Sequence, residues 1–339
     1  MITRMNISTT IIRIALVGVL GLLLSCASTT MSNDVSENIS VAKALTQDET
    51  KHTAEYLKQS IGLILRDLGT KTTDGLVLMN GLENVTIAEF QITEQTTAQA
   101  LSSLSELTGV STHLTPYYTF VYDPTYETLV TLQIEQELPA RYLETMVNIS
   151  IGADTPLFSA LALLGHSTGL TLVADNAIGD AQCGELSLPN VPLPQALEAL
   201  LQSARIPQSS VGLRVHDDYL FFYSAGHAFA TNLLKEPISA ADRRALDESC
   251  SISLLVYTTP DNQISSQLGA SRLHSVLPEL SLQLGMPVRA TEEILHLPVN
   301  PVVMNDISRA TALELLMQQW LVPAFQYQVQ DGTVLIFRR

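Results

Sequence analysis

The chain has 339 residues, 46% of them hydrophobic, and sets 34 acidic residues against 18 basic ones, for a formal net charge of −16. A chain this acidic lacks the basic face that nucleic acid demands and offers no broad positive surface to anionic lipid. At roughly 100 to 200 residues per domain, its length allows two or three packed domains.

Residues 1–25 hold two positive charges, Arg4 and Arg13, no acidic residue, and an apolar run from Ile14 to Leu24, the layout of an export signal. That run is too short to cross a bilayer, which takes about 20 apolar residues. It ends in Leu23-Leu24-Ser25-Cys26, which resembles the lipobox of bacterial lipoproteins. The resemblance implies cleavage before Cys26 and lipidation of that cysteine. Each buried methylene contributes about 0.8 kcal/mol to anchoring, and more than one acyl chain is needed for a stable hold. Ala27 follows where an aspartate would, by the same analogy, favour the inner membrane, so the outer membrane, facing the periplasm, is expected. Cleavage removes two basic residues and no acidic one, leaving 16 against 34, or −18. No later stretch of about 18 uninterrupted apolar residues occurs, so the part beyond the signal is expected to be soluble. Residues 26–37 then read as a tether.

From residue 38 a helical pattern recurs three times, with apolar residues at intervals of four, three and four followed by glycine. It reads Leu57, Ile61, Ile64, Leu68 and Gly69, then Leu157, Leu161, Leu164, Thr168 and Gly169, then Leu273, Leu277, Leu280, Leu284 and Gly285. This spacing lays one stripe along a helix, and a glycine past the last turn takes the left-handed conformation that ends it. A strand-like run follows each stop, at Gly75 to Met79, Leu170 to Val173 and Met286 to Arg289, the last weakened by Pro287. A second helix with an Ala-Leu pair comes next, in Thr96 to Leu107, Pro194 to Ala204 and Ala310 to Leu321. An aromatic-rich run closes each copy, at Tyr118 to Tyr122, Tyr219 to Tyr223 and Thr333 to Phe337, and the last two read as second arms of hairpins. Strand-like openings precede the copies at Asn38-Ile39-Ser40-Val41, Asn148-Ile149-Ser150-Ile151 and Ser251-Ile252-Ser253-Leu254.

The expected fold class is therefore α+β, three tandem small β-α-β-β-α-β domains in which each helix pair packs on its own strands. The repeats are placed at 38–123, 147–224 and 250–339, with linkers at 124–146 and 225–249, the latter containing a short helix from Ala240 to Leu246.

The stretch from Val147 to Ser224, with Thr155-Pro156-Leu157 opening one helix, Gly169-Leu170-Thr171-Leu172-Val173 after it, Val191-Pro192-Leu193 and Ala196-Leu197 opening the next and Tyr219-Leu220-Phe221-Phe222 closing, resembles the short N-terminal domain of secretins and TonB-dependent receptors. The third copy is similar to it from Leu273 to Arg339, and the first through its helices. That domain makes periplasmic protein contacts and has no catalytic residues. The resemblance thus implies a non-enzymatic, lipid-anchored interaction module, an accessory of a secretin-type secretion or pilus system, with envelope proteins as partners. Neither oligomeric state nor partner identity is readable.

The alternative is an envelope hydrolase or ligand-binding lipoprotein with a site between repeats. Gly165-His166-Ser167-Thr168-Gly169 matches the nucleophile-elbow pattern, but that elbow needs a strand entering and a helix leaving, and here the order is reversed. The seven histidines form no pair at four-residue spacing, so no metal site is expected, and with no glycine-rich phosphate loop in the sequence no cofactor is indicated. Asp217-Asp218 and Glu292-Glu293 read as solvated turns. Tyr117, Tyr118, Phe120 and Tyr122 fit either an edge strand that binds a partner or one face of a buried hairpin. Trp320 reads as core. Cys183 and Cys250 are a possible disulfide in an oxidising periplasm, and two free thiols fit the sequence as well.

Overall fold

The computed structural model describes residues 51–70, 75–134, 138–229, 232–255, 270–321 and 324–339. The export signal at 1–25, Cys26, the tether and the run at 38–41 lie outside them.

The first repeat consists of β1 (His52–Ser60), α1 (Ile61–Thr70), β2 (Gly75–Leu78), β3 (Thr86–Gln95), α2 (Thr97–Thr108), β4 (Ser111–Leu114) and β5 (Tyr118–Tyr122). Helix α2 starts where the Thr96 hydroxyl accepts from the Gln99 N–H at 3.3 Å and the Gln99 side chain accepts from the Thr96 N–H at 3.0 Å, a reciprocal cap. It stops at Gly109, whose φ of 76° lies in the left-handed region that favours glycine.

Two expectations for this repeat are corrected. Helix α1 begins at Ile61, so Leu57 lies on β1 and is 57% exposed, and Gly69 is inside the helix rather than beyond it. The buried stripe is Ile61, Ile64, Leu65 and Leu68, which stands 96 residues before the buried Leu157, Ala160, Leu161 and Leu164 of the second repeat. A leucine-rich helix pattern fits two registers one turn apart, and the strand decides between them: Tyr56 on β1 stacks on Phe90 of β3 at 6.1 Å. The opening-strand position, assigned from sequence to the run at 38–41, is filled by β1, which pairs antiparallel with β3.

The second repeat follows a short helix, α3 (Ala140–Leu143), and contains β6 (Met146–Ile151), β7 (Thr155–Pro156), α4 (Leu157–Thr168), β8 (Thr171–Ala174), α5 (Asn176–Gly179), β9 (Gln182–Cys183), β10 (Leu186–Pro192), α6 (Leu193–Ser203), β11 (Val211–Val215) and β12 (Tyr219–Ser224). After α7 (Ala240–Asp247), the third repeat contains β13 (Ser249–Ser253), β14 (Ser271–Arg272), α8 (Leu273–Leu284), β15 (Val288–Ala290), β16 (Pro298–Val299), β17 (Val303–Ser308), α9 (Arg309–Gln318), β18 (Phe325–Gln330) and β19 (Thr333–Arg338). As expected, α4 and α8 end at left-handed Gly169 and Gly285.

Each repeat carries two sets of strands. One is an antiparallel pair, β1–β3, β6–β10 or β13–β17; the other is a mixed triplet in the order β4-β5-β2, β11-β12-β8 or β18-β19-β15. The antiparallel pair has a register shift in every copy, with a residue at φ near 50° on its second strand, Glu94, Asn190 or Asp306. Three matching bulges mark three copies of one unit. The hairpin completing the first copy, β4–β5, is the buried-hairpin alternative for its aromatic run, and Thr115-Pro116-Tyr117 turns it.

The segments read as linkers are packed. Leu129, Leu132, Ile134, Leu138 and Tyr142 are all buried in the core that unites the first two repeats. Those repeats also share a sheet, because β2 pairs with β10 to give the order β4-β5-β2-β10-β6. The third repeat has its own core, to which the second lends Val173, Tyr219 and Phe221. The two junctions share one hydrogen bond: Asn80 N–H donates to Ser203 O at 2.8 Å, and Asn176 N–H, 96 residues on, donates to Gln319 O at 2.8 Å.

Candidate interaction surfaces and the junctions between repeats

At the first junction the glutamine near the end of α6 reaches back into the preceding repeat. The Tyr118 hydroxyl donates to Gln202 Oε1 at 2.8 Å, and Gln202 Nε2 donates to Leu129 O at 3.1 Å. Beside them Met79, the residue after β2, is fully buried. Arg66 of α1 pairs with Glu185 across the seam, at a largely exposed site where such a pair contributes at most about 1 kcal/mol. Packing therefore holds this junction, not charge.

The second junction uses the same positions with ionisable groups. Asp175 follows β8 where Met79 follows β2, and Gln318 on α9 matches Gln202 on α6. Asp175 Oδ1 accepts from Ile178 N–H at 2.8 Å, and Oδ2 accepts from Ser224 N–H at 2.7 Å and the Ser224 hydroxyl at 2.9 Å. His227 Nδ1 lies 3.1 Å from the same Oδ2, and its Nε2 lies 3.3 Å from Gln318 Oε1, in the third repeat. Both the Asp175 and the His227 side chains are fully buried, and Phe229 meets the imidazole edge-on at 4.7 Å. Burial alone pushes the Asp175 carboxyl up; the hydrogen bonds from His227, Ile178 and Ser224 outweigh it and hold the group below its ordinary value. A few residues away, burial raises the carboxyl of Glu314 on α9, which faces Arg214 of β11.

The aromatic run of the first repeat is a buried hairpin arm. Tyr118, Phe120 and Tyr122 lie on β5, which has a strand on either side, and none is more than 8% exposed. One edge of that sheet is β4, where Leu114 is 60% exposed.

The corresponding edges in the other repeats have company. Along β18, Leu234 bridges to Tyr327 in parallel, with Tyr327 N–H donating to Leu233 O and Lys235 N–H to Tyr327 O, both at 2.8 Å. Beside β11, the Gln133 N–H donates to the Gln208 side chain, and Gln133 and Ile134 line a cleft whose other wall includes Val211 and Leu213.

The remaining sequence candidates fall as follows. Cys26 lies outside the described residues. Cys183 and Cys250 are free thiols, so the possible disulfide is not formed. They belong to different cores, and burial pushes the Cys183 thiol up to about 12, which keeps it protonated. Ser167 sits in the last turn of α4, with its hydroxyl donating to Leu164 O at 3.0 Å. Asp217 and Asp218 are exposed in a turn, and Glu292 and Glu293 are exposed in a short 3-10 helix, Glu292–Ile294. Trp320 is core, its indole N–H donating to Pro298 O at 2.6 Å. Among the described residues no group of three His, Cys, Asp or Glu gathers in a way that could hold a metal ion. Sequence reading passed over Asp175 and His227. A polar residue standing where the first copy has methionine was the signal for them.

No family model matches the sequence, and no curated protein is significantly similar to it.

Proposed function

We propose that this chain is a lipid-anchored periplasmic protein-interaction module, held at the outer membrane through Cys26 and serving a secretin-type secretion or pilus system. Its repeats are read as units of the kind shared by secretins and TonB-dependent receptors. The observation that carries this reading is the unit itself: two helices with one antiparallel strand pair and one mixed triplet, built three times with the same bulge. Fold likeness is an argument by analogy, so the partner has to come from experiment. Affinity capture from detergent-solubilised envelope with the full chain is expected to recover a secretion, pilus or receptor component. Recovery of only unrelated abundant proteins would contradict the proposal.

A further inference from the structure

The hairpins of the second and third repeats share one register. They turn at His216 to Tyr219 and at Gln330 to Thr333, so Leu213, opposite Phe222, holds the place that Tyr327, opposite Ile336, holds in the third repeat. On the side of β18 away from β19 an extended segment of the chain is seated in parallel, with Tyr327 N–H donating to Leu233 O and Lys235 N–H to Tyr327 O. Leu233 is buried in the core of the third repeat, and the Lys235 ammonium lies 5.3 Å from the centre of the Phe337 ring.

The edge of β11 presents the same main-chain groups. His216 N–H donates to Tyr219 O across the turn, so alternation points Gly212 and Arg214 toward β12 and turns the N–H and C=O of Val211, Leu213 and Val215 outward. Among the described residues none bonds to the outward groups of Leu213. The stretch of chain that runs beside β11 turns its donors elsewhere: Ile134 N–H donates to Glu198 Oε1 at 2.8 Å, and Gln133 N–H to the Gln208 side chain at 3.3 Å. A cleft of about 390 Å³ separates Ile134 from Leu213, and the buried Leu201 and Phe222 line it as well. Leu201 and Phe222 stand where the third repeat has Met317 and Ile336, two members of the core that Leu233 joins, and Tyr223 stands where it has Phe337. Val211, Gly212 and Leu213 carry neither the charge nor the proline that would deter a strand.

We propose, on the reading of the chain as a protein-interaction module, that the cleft beside β11 is the acceptor groove for an extended segment of a partner protein. The segment adds in parallel to β11, with an apolar residue opposite Leu213, a second apolar residue before it, and a lysine or arginine next after it over the Tyr223 ring. The third repeat supplies each part of that description, since Leu234 stands opposite Tyr327, with Leu233 before it and Lys235 after it. Main-chain bonds to Leu213 give such a segment its hold, and the side chains on either side of them give selectivity. A cation over an aromatic face adds to both. The cleft is within the range of roughly 300 to 1,000 Å³ in which proteins bind small ligands, which is room for a few extended residues.

Hydrogen exchange of the full chain in detergent, read by mass spectrometry over Val211–Val215, tests this with the acetylated and amidated peptide Asn-Leu-Leu-Lys-Glu, copied from residues 232–236. At about ten times its half-saturating concentration, the peptide is expected to slow exchange of the outward amides about tenfold, because roughly one edge in eleven stays open. The same peptide with its lysine nitrogen methylated lacks the N–H that donates to the Leu213 carbonyl, and its half-saturating concentration is expected to rise at least about fivefold. Exchange over Phe325–Gln330, where the chain's own segment is seated, is expected to stay unchanged. No slowing over Val211–Val215 up to about 5 mM peptide overturns the proposal. Equal action of the two peptides, or slowing over Phe325–Gln330 instead, overturns it as well. If the peptide fails while envelope capture still recovers a secretion component, the groove falls and the module reading stands; if the peptide binds and capture recovers nothing of the kind, the groove stands and the module reading falls.

Discussion

Asp175→Ala is expected to destabilise the chain by about 4 kcal/mol, because it strips four hydrogen-bonding groups of one buried acceptor. The Ile178 and Ser224 N–H groups, the Ser224 hydroxyl and the His227 imidazole all converge on this carboxylate, and both side chains are out of solvent. Removing one member of a buried, bonded pair costs about 3 to 5 kcal/mol, chiefly because the groups left behind stay unpaired. Urea denaturation measures it, and a loss under about 1 kcal/mol would mean that water reaches the seam. The same site sets a pH dependence. With its carboxyl held below the ordinary value of about 3.9, Asp175 binds its proton less readily in the folded chain than in the unfolded one. Its contribution is therefore complete above about pH 4 and is lost as the pH falls through the lowered value. The raised carboxyl of Glu314 acts with the opposite sign but is common to wild type and variant, while Asp180, raised first by burial and then by the Asp175 charge, loses only the second cause in the variant. Between pH 6 and pH 3 the urea midpoint should thus fall further in wild type than in Asp175→Asn.

Gly184→Ala is expected to cost about 3 kcal/mol through backbone crowding alone. A Cβ there would fall well inside contact distance of the Leu78 carbonyl oxygen and 2.7 Å from the Asn80 nitrogen, where β10 approaches the first repeat. Neither atom can move without breaking the junction, since Leu78 N–H donates to Glu185 O at 2.8 Å and Asn80 N–H to Ser203 O. Overpacking of this kind typically costs about 1 to 3 kcal/mol, and rigid main-chain neighbours place it at the upper end. Gly152→Ala is the control, because nothing lies within 4 Å of the added carbon. Thermal melts should separate the two variants by about 6 to 12 °C.

Much of the local structure was legible, and the reason is periodicity. Helices α4 and α8 run from Leu157 and Leu273 to the residue before their capping glycines, as the stripes predict, and the closing aromatic runs are β5, β12 and β19. The first copy misled because Leu57 extends the stripe by one turn, while the deciding contact, Tyr56 on Phe90, joins residues 34 positions apart. The packed linkers were missed for a similar reason. Leu129, Leu132 and Ile134 show no regular period, and what buries them is the neighbouring repeat. Of the candidate surfaces, the aromatic strand was visible but its burial was not, and the Asp175–His227 pair needs the third repeat's Gln318 to complete it. Pairings across junctions of this kind show only when the copies are set side by side, as a polar Asp175 where the first copy has Met79.

If interaction units are tethered to the envelope by lipid at Cys26, metabolic labelling with an alkyne palmitate followed by envelope fractionation is expected to show label on the wild-type chain in the outer-membrane fraction, no label on Cys26→Ala, and release of the captured partner from that fraction along with the variant. A wild-type chain without label, or a Cys26→Ala chain that stays on the membrane, would contradict it.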